Sequence, residues 1–177
     1  MEITGVMATD AGMGALWALG SFGGIVDYDT WESELLEDED IARHIAGGAL
    51  VPVNIGGDGA FQVVARVGES SALAQLTERE RKYVVVASEP YLLITTNDAV
   101  ISGIEHVAAE SNDNLRVPLP AGRWSVAIFL IDWEAEPGQA DDAGRPAPTA
   151  LSDFTILINP EGQPNREYRT QIQTFER

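Results

Sequence analysis

The segment LRVPLPAGRWSVAIFLIDW, from Leu115 to Trp133, decides the fold of this chain. Two prolines and the Ala121-Gly122 pair interrupt its first half, whereas the ten residues after Arg123 contain no glycine, no proline and one charge. In an extended strand alternate side chains point to opposite faces, and here both faces are apolar. A strand that is apolar on both faces is typical of the middle of a sheet. The sequence therefore predicts a turn followed by a buried central strand.

Further short apolar or alternating runs predict strands along the rest of the chain. They lie at 3–9, 15–25, 83–87, 91–95, 99–107 and 154–158, and a more polar alternating run at 168–175 predicts an edge strand or a crossing segment. The clearest local pattern spans 49–67, where two alternating runs flank the turn Gly56-Gly57-Asp58-Gly59 and predict a β-hairpin.

Two segments near the N-terminus have helical periodicity instead. From Asp29 onward apolar side chains recur at helical spacing, and Asp29 or Thr30 can cap the first turn. A second helix is predicted at about 39–46, and it ends at the Gly47-Gly48 pair, a suitable C-terminal stop.

Strands outnumber helices by roughly eight to two, and Thr77 and Glu80 have the capping-box spacing that predicts one further helical turn. We predict an α+β fold with a mainly antiparallel sheet: a β-sandwich or open barrel with two short helices near the N-terminus. We expect residues 1–177 to form a single domain. Residues 134–150, EAEPGQADDAGRPAPTA, contain three prolines and no large apolar side chain, which predicts a flexible loop.

The composition excludes several classes of protein. Hydrophobic residues make up 45% of the chain, which excludes a largely disordered protein. The absence of cysteine excludes disulfides, thiol nucleophiles, iron–sulfur clusters and Cys-ligated zinc. No apolar run approaches the length of about 18 residues that a membrane span needs, and the acid at position 2 is unlike a secretory signal. We therefore expect a cytoplasmic protein.

The charge balance is the strongest signal in the composition. The chain has 28 acidic and 11 basic residues, a net charge of −17. Such a surface repels phosphate backbones and anionic lipids, so we expect no nucleic acid and no membrane among the partners. A basic protein is the partner that this charge favours. The single lysine against ten arginines is typical of a GC-rich genome, and salt adaptation is the alternative explanation.

Two glycine-rich turns carry an acid that could cap backbone amides or bind a cation: Asp10 in TDAGMG and Asp58 in GGDG. Neither turn has the closely spaced oxygen ligands of a calcium loop, and neither has the Gly-Lys-Ser/Thr ending of a P-loop. We interpret both acids as structural turn residues, and we predict no metal and no cofactor.

The run Glu37, Asp38, Glu39 and Asp40 immediately precedes or begins the second predicted helix. A helix N-terminus favours negative charge, so the simplest interpretation is a solvated helix start. The alternative is an acidic recognition patch, and these four residues are the candidate binding site of the sequence.

Candidates for catalysis are few. The two histidines, His44 and His106, lie in no H-E-x-x-H motif, and no serine has a G-x-S-x-G setting. A triad of Ser88 or Ser102 with His106 and a carboxylate would have to assemble in space. A hydrolytic or ligand-binding site would bring acids together near His106 and Asp132.

The four tryptophans are Trp17, Trp31, Trp124 and Trp133. Sugar-binding modules display exposed aromatic side chains, a role that Trp17 or Trp133 could have. Because each tryptophan lies within an otherwise apolar run, we interpret all four as core residues.

Three motifs in order resemble a known group of proteins: Tyr-Leu-Leu-Ile at 91–94, Ser-Gly-Ile-Glu at 102–105 and Val-Pro-Leu-Pro-Ala-Gly-Arg-Trp-Ser-Val at 117–126. This order is similar to that of small bacterial β-sandwich proteins, some of which are immunity proteins of toxin systems or nuclease inhibitors of the competence type. The resemblance covers about residues 49–133. It implies a binding protein, and it implies no catalytic residue.

The first hypothesis is therefore a non-enzymatic, acidic, cytoplasmic binding protein, immunity-like or inhibitor-like. The alternative is a small-molecule or carbohydrate-binding domain, or a hydrolase, with a pocket under the 134–150 loop. A third hypothesis, a structural module of a larger assembly, predicts a large exposed apolar patch.

Overall fold

The computed structural model describes residues 1–110, 114–162 and 166–176. Within these ranges the chain forms ten strands and three short α-helices, which confirms the strand-dominated α+β class. The strands are β1 Glu2–Thr9, β2 Met13–Ala18, β3 Leu50–Asn54, β4 Gly59–Val67, β5 Val84–Ala87, β6 Tyr91–Thr95, β7 Ala99–Gly103, β8 Leu115–Val117, β9 Gly122–Ile131 and β10 Phe154–Pro160. The helices are α1 Tyr28–Leu35, α2 Asp38–Ala46 and α3 Glu78–Arg81, and 3₁₀ turns follow at Ile104–His106 and Trp133–Ala135.

The strands form two sheets that share one hydrophobic core. The larger sheet has the order β1-β4-β10-β9, and both β5 and β6 pair with the far side of β9. The smaller sheet has the order β3-β2-β7-β8. Every pairing is antiparallel except that of β4 with β10. The mostly antiparallel arrangement is thus confirmed.

Strand β9 is the central strand that the sequence predicts. It pairs with β10 on one side and with β5 and β6 on the other. Val126 and Ile128 are completely buried in the core. The opposite face, with Ala127 and Phe129, is only half-buried. Both faces are apolar, but the shared core covers only one of them.

The predicted β-hairpin at 49–67 is wrong. Its two strands, β3 and β4, belong to different sheets: β3 pairs with β2, whereas β4 pairs with β1 and β10. The connecting turn crosses between the sheets, and the backbone N–H groups of Ile55 and Gly56 both donate to the carbonyl of Gly12 at 2.9 Å. Local alternation identified the strands and the reversal, but it does not specify which strands exchange hydrogen bonds.

The N-terminal helices begin slightly earlier than the sequence predicts. Asp27 caps α1 in place of Asp29 or Thr30, because its carboxylate accepts the backbone N–H of Thr30 at 2.9 Å. Helix α2 begins one residue early and is followed by Gly47. The predicted capping box at the start of α3 is confirmed.

The segment from 136 to 150 contains no helix or strand of its own within the described residues. An ion pair of 2.6 Å from Arg79 to Glu136 anchors its start, and Asp141 accepts hydrogen bonds from Arg145. Its flexibility stays a prediction. The last segment contacts both sheets, as the predicted crossing segment would: the hydroxyl of Tyr91 in β6 donates to the carbonyl of Gln171, and Thr174 forms a single bridge with Asn54 of β3. None of the described helices has the length and apolar character to cross a membrane.

Candidate functional site

The helix pair α1 and α2 concentrates the negative charge of the chain. Between residues 27 and 46 there are eight acids and one arginine, Arg43, which is also the first basic residue of the sequence apart from the N-terminus. Arg43 pairs with Asp40 at 2.7 Å and with Glu34 at 3.2 Å. His44 lies 2.9 Å from the same Glu34 carboxylate. The remaining acids of this helix pair have no cationic partner among the described residues.

The predicted binding residues Glu37, Asp38, Glu39 and Asp40 form the start of α2. Glu37 occupies the N-cap without a side-chain capping bond, and the other three lie in the first turn. The side chains of Glu37, Asp38 and Glu39 are exposed, whereas Asp40 is half-buried beside Arg43. This placement fits the solvated helix start, because the helix dipole stabilises acids there. Their role in binding stays a prediction.

A cleft of about 500 Å³ opens beside α1. The turn between β1 and β2, the start of α1 and the segment after β7 form its walls. Most of the wall is apolar, and none of the described residues that line it is an arginine or lysine. We call it the α1 cleft; its lining includes Asp10, Asp27, Tyr28, Trp31 and Glu105.

Two aromatic rings form one wall of the α1 cleft. Tyr28 and Trp31 are stacked, with ring centroids 6.1 Å apart and planes inclined by 23°. The indole N–H of Trp31 donates to the carbonyl of Ile104 at 2.9 Å, which fixes the ring. Tyr28 is 66% exposed. The wall therefore offers a π surface, and the one indole donor is already in use.

Three carboxylates border the same cleft. Oε1 of Glu105 accepts the backbone N–H of Asp10 at 2.8 Å, and Oε2 lies 3.0 Å from the hydroxyl of Thr9. The carboxylate of Asp10 makes no hydrogen bond or ion pair within the described part of the chain. Hydrogen bonds from the Thr30 side chain and backbone lower the pKa of Asp27, so this acid stays charged at neutral pH.

The two serines considered for a catalytic triad have other hydrogen-bond partners. Ser102 is buried, with its Oγ bonded to the indole of Trp17 and to a backbone carbonyl. Ser88 bonds to the backbone N–H of Ile128 in the other sheet. His106 is exposed, and its closest ionic contact is Glu105 at 3.8 Å. No described hydrogen bond joins either serine to His106, so the structure gives the triad of Ser88 or Ser102 with His106 no support.

The predicted pocket beneath the 134–150 loop corresponds to a smaller cleft of about 300 Å³, formed by Gln62 and the segment from Pro146 to Ser152. The acids expected near His106 and Asp132 lie in different clefts: Glu105, next to His106, lines the α1 cleft, whereas Glu134, two residues after Asp132, lines a cleft of about 410 Å³ together with Asp153 and Glu176.

The tryptophans mostly serve the core, as predicted. Trp17, Trp124 and Trp133 are each at least 94% buried. Trp31 is the exception, because it is only half-buried and lines the α1 cleft. Its apolar sequence neighbours predict Trp31 in the core, and the glycines around Asp10 predict a structural turn. The signal that could have identified the cleft was the i, i+3 spacing of Tyr28 and Trp31 within an acidic helix.

The sequence matches no family model and no curated protein. Two solved structures have the same fold. One is described as Crocagin biosynthetic gene J; it is 13% identical with a TM-score of 0.63, over 91% of this chain and 97% of that chain. The other is ComJ from Bacillus subtilis, described as an inhibitor of the DNA degrading activity of NucA; it is 12% identical with a TM-score of 0.51, over 89% of this chain and 94% of that chain. At these identities the similarity shows a shared fold over nearly the whole length of each chain. The predicted resemblance to nuclease inhibitors is therefore supported for the fold.

Proposed function

We propose that this chain is a non-enzymatic acidic protein that binds and inhibits a basic partner protein. The observation that carries the proposal is the charge of the helix pair α1 and α2: residues 27–46 contain eight acids and one arginine. Glu37, Asp38 and Glu39 are exposed there and have no cationic partner in the described residues. A surface of this kind accelerates association with a protein of opposite charge, because the long-range field steers the encounter.

A protein of the same fold supports a nuclease as the class of partner. ComJ, which shares the fold, is described as an inhibitor of the DNA degrading activity of NucA. A nuclease that binds DNA needs a basic surface to contact phosphates. An acidic inhibitor competes with DNA for that surface. A nuclease is therefore the first partner to test for this chain.

The proposal can be tested by affinity capture from a lysate of the host organism at low salt, followed by elution with increasing salt. We expect one basic protein in a one-to-one ratio with the bait, released at moderate salt because the screening length shortens to about 8 Å at physiological ionic strength. The eluted protein is then assayed for DNA degradation with and without the chain. Recovery of no basic protein, or DNA degradation that the chain leaves unchanged, would contradict the proposal.

Two matched baits separate the effect of this surface from that of total charge. The first carries Glu37→Gln, Asp38→Asn and Glu39→Gln. The second carries Glu69→Gln, Glu89→Gln and Asp142→Asn, which remove the same charge from exposed acids elsewhere. We expect the first bait to lose the partner and the second to keep it.

A further inference from the structure

We propose that the α1 cleft binds an arginine side chain of the basic partner. This inference rests on the proposed function, which it deepens by naming the group that is recognised and where. The cleft joins an aromatic wall to three carboxylates in a space of about 500 Å³. No described cation lines it, so its charge is open to an incoming group.

The carboxylates define the charge of the ligand. Glu105 is held in place by the backbone N–H of Asp10 and by its contact with Thr9. The carboxylate of Asp10 has no partner of its own in the described part of the chain. Two neighbouring acids, one fixed and one free, repel an anion and attract a cation with several N–H donors. The exposed His106 lies 3.8 Å from Glu105 at the edge of this cluster.

The aromatic wall distinguishes between cations. Tyr28 and Trp31 present π surface, and the indole N–H of Trp31 is already bonded to Ile104. A guanidinium group is planar, weakly hydrated and able to stack on such rings while it donates to carboxylates in its own plane. A lysine ammonium is a strongly hydrated point charge and lacks the flat face. The combination therefore favours arginine over lysine.

The position of the cleft favours a protein as the source of the arginine. Helix α1 contributes Tyr28 and Trp31 to the cleft and packs against α2, which carries the acidic residues 37–40. A basic partner attracted by α2 thus arrives beside the cleft. A buried arginine in an aromatic pocket is a common energetic centre of protein interfaces.

A titration with peptides tests the cleft without the partner. The ¹⁵N-labelled full chain is titrated with acetyl-Gly-Arg-Gly-amide, and the Lys and Leu peptides of the same design are the controls. We expect the arginine peptide to shift the indole N–H signal of Trp31 and the amide signals of Asp10 and Glu105. The lysine peptide should bind several-fold more weakly, and the leucine peptide should leave these signals unchanged.

Two variants locate the contact. Asp10→Asn removes the free carboxylate, and Tyr28→Ala removes a ring that is 66% exposed, so its loss leaves the core intact. We expect each to weaken arginine-peptide binding about tenfold, the size of one charge-assisted or stacking contact. Glu69→Gln, an exposed acid outside both α2 and the cleft, should leave it unchanged. An unshifted Trp31 signal, or equal binding of the arginine and leucine peptides, would overturn the inference.

The partner itself supplies the last comparison. A bait with Asp10→Asn and Tyr28→Ala should retain several-fold less of the basic protein captured by the unmodified chain. Equal retention would overturn the assignment of the cleft to a partner arginine, while the binding of a basic protein through α2 would stand. Failure of the capture with the unmodified chain would instead overturn the proposed function, and the peptide titration reports separately on the cleft.

Discussion

At the scale of single residues, Gly12 connects the two turns where the chain crosses between the sheets. Its φ of +74° is in the left-handed region that favours glycine. A Cβ built on Gly12 would lie 3.1 Å from the backbone nitrogen of Gly57. The sequence correctly predicted a turn at Gly12, but the close approach of a second turn depends on a contact between distant parts of the chain.

We predict that Gly12→Ala lowers the free energy of unfolding by about 2 kcal/mol, because a positive φ and a backbone contact both oppose the added methyl group. The matched control is Gly20→Ala, where φ is +90° and no atom lies within 4 Å of the new Cβ. It should cost about 1 kcal/mol, from the backbone conformation alone. Urea unfolding followed by tryptophan fluorescence measures both values. Equal losses would show that the contact between the two turns does not affect stability.

At the scale of elements, the short helix α3 is held to the larger sheet by one buried carboxylate. Oε2 of Glu80 accepts hydrogen bonds from Thr77 and from Arg66 of β4, and Oε1 accepts one from Thr155 of β10. Burial would raise the pKa of Glu80, but the bonds from Arg66, Thr77 and Thr155 outweigh it and lower the pKa. The sequence predicted the capping box, which is local, but not the ties to β4 and β10.

We predict that Glu80→Gln lowers the free energy of unfolding by about 2 to 3 kcal/mol at neutral pH, because Arg66 loses its buried partner and keeps the exposed Glu2. Since the pKa of Glu80 is lower in the folded state, its contribution is present above about pH 4.3 and is lost as the pH falls through the folded value. The difference from the unmodified protein should therefore shrink in acid. Glu78→Gln, an exposed acid of the same helix, is the control and should change stability little. A difference that does not vary with pH would contradict this account.

The strands show where sequence reasoning ends. Period-two alternation and apolar runs identified β4, β6, β9 and β10, because these patterns depend on which faces are buried. The same patterns do not show that the two strands at 49–67 belong to different sheets, because a turn that crosses between sheets has the same glycines as a hairpin turn. The sequence does not indicate the α1 cleft for a related reason: Asp10 and Glu105 are 95 positions apart, and the pairing of β2 with β7 brings their segments together.

At the scale of the whole molecule, the net charge of −17 is unevenly distributed. The first 65 residues contain a single arginine and no lysine, whereas most basic residues lie from Arg66 onward. This asymmetry was readable from the sequence, and the structure gathers its acids on α1 and α2 beside an aromatic cleft. We therefore expect this side of the molecule to determine how fast the partner associates.

The most direct test is the association rate constant of the chain with the basic protein recovered by capture, measured as a function of ionic strength. We predict a decrease of about tenfold or more from low to physiological salt, because screening removes electrostatic steering. The variant with Glu37→Gln, Asp38→Asn and Glu39→Gln should associate more slowly at low salt and depend less on salt. The control with Glu69→Gln, Glu89→Gln and Asp142→Asn should retain the steep dependence. A rate constant that does not change with salt, or that the two triple variants alter equally, would contradict recognition through the acidic helices.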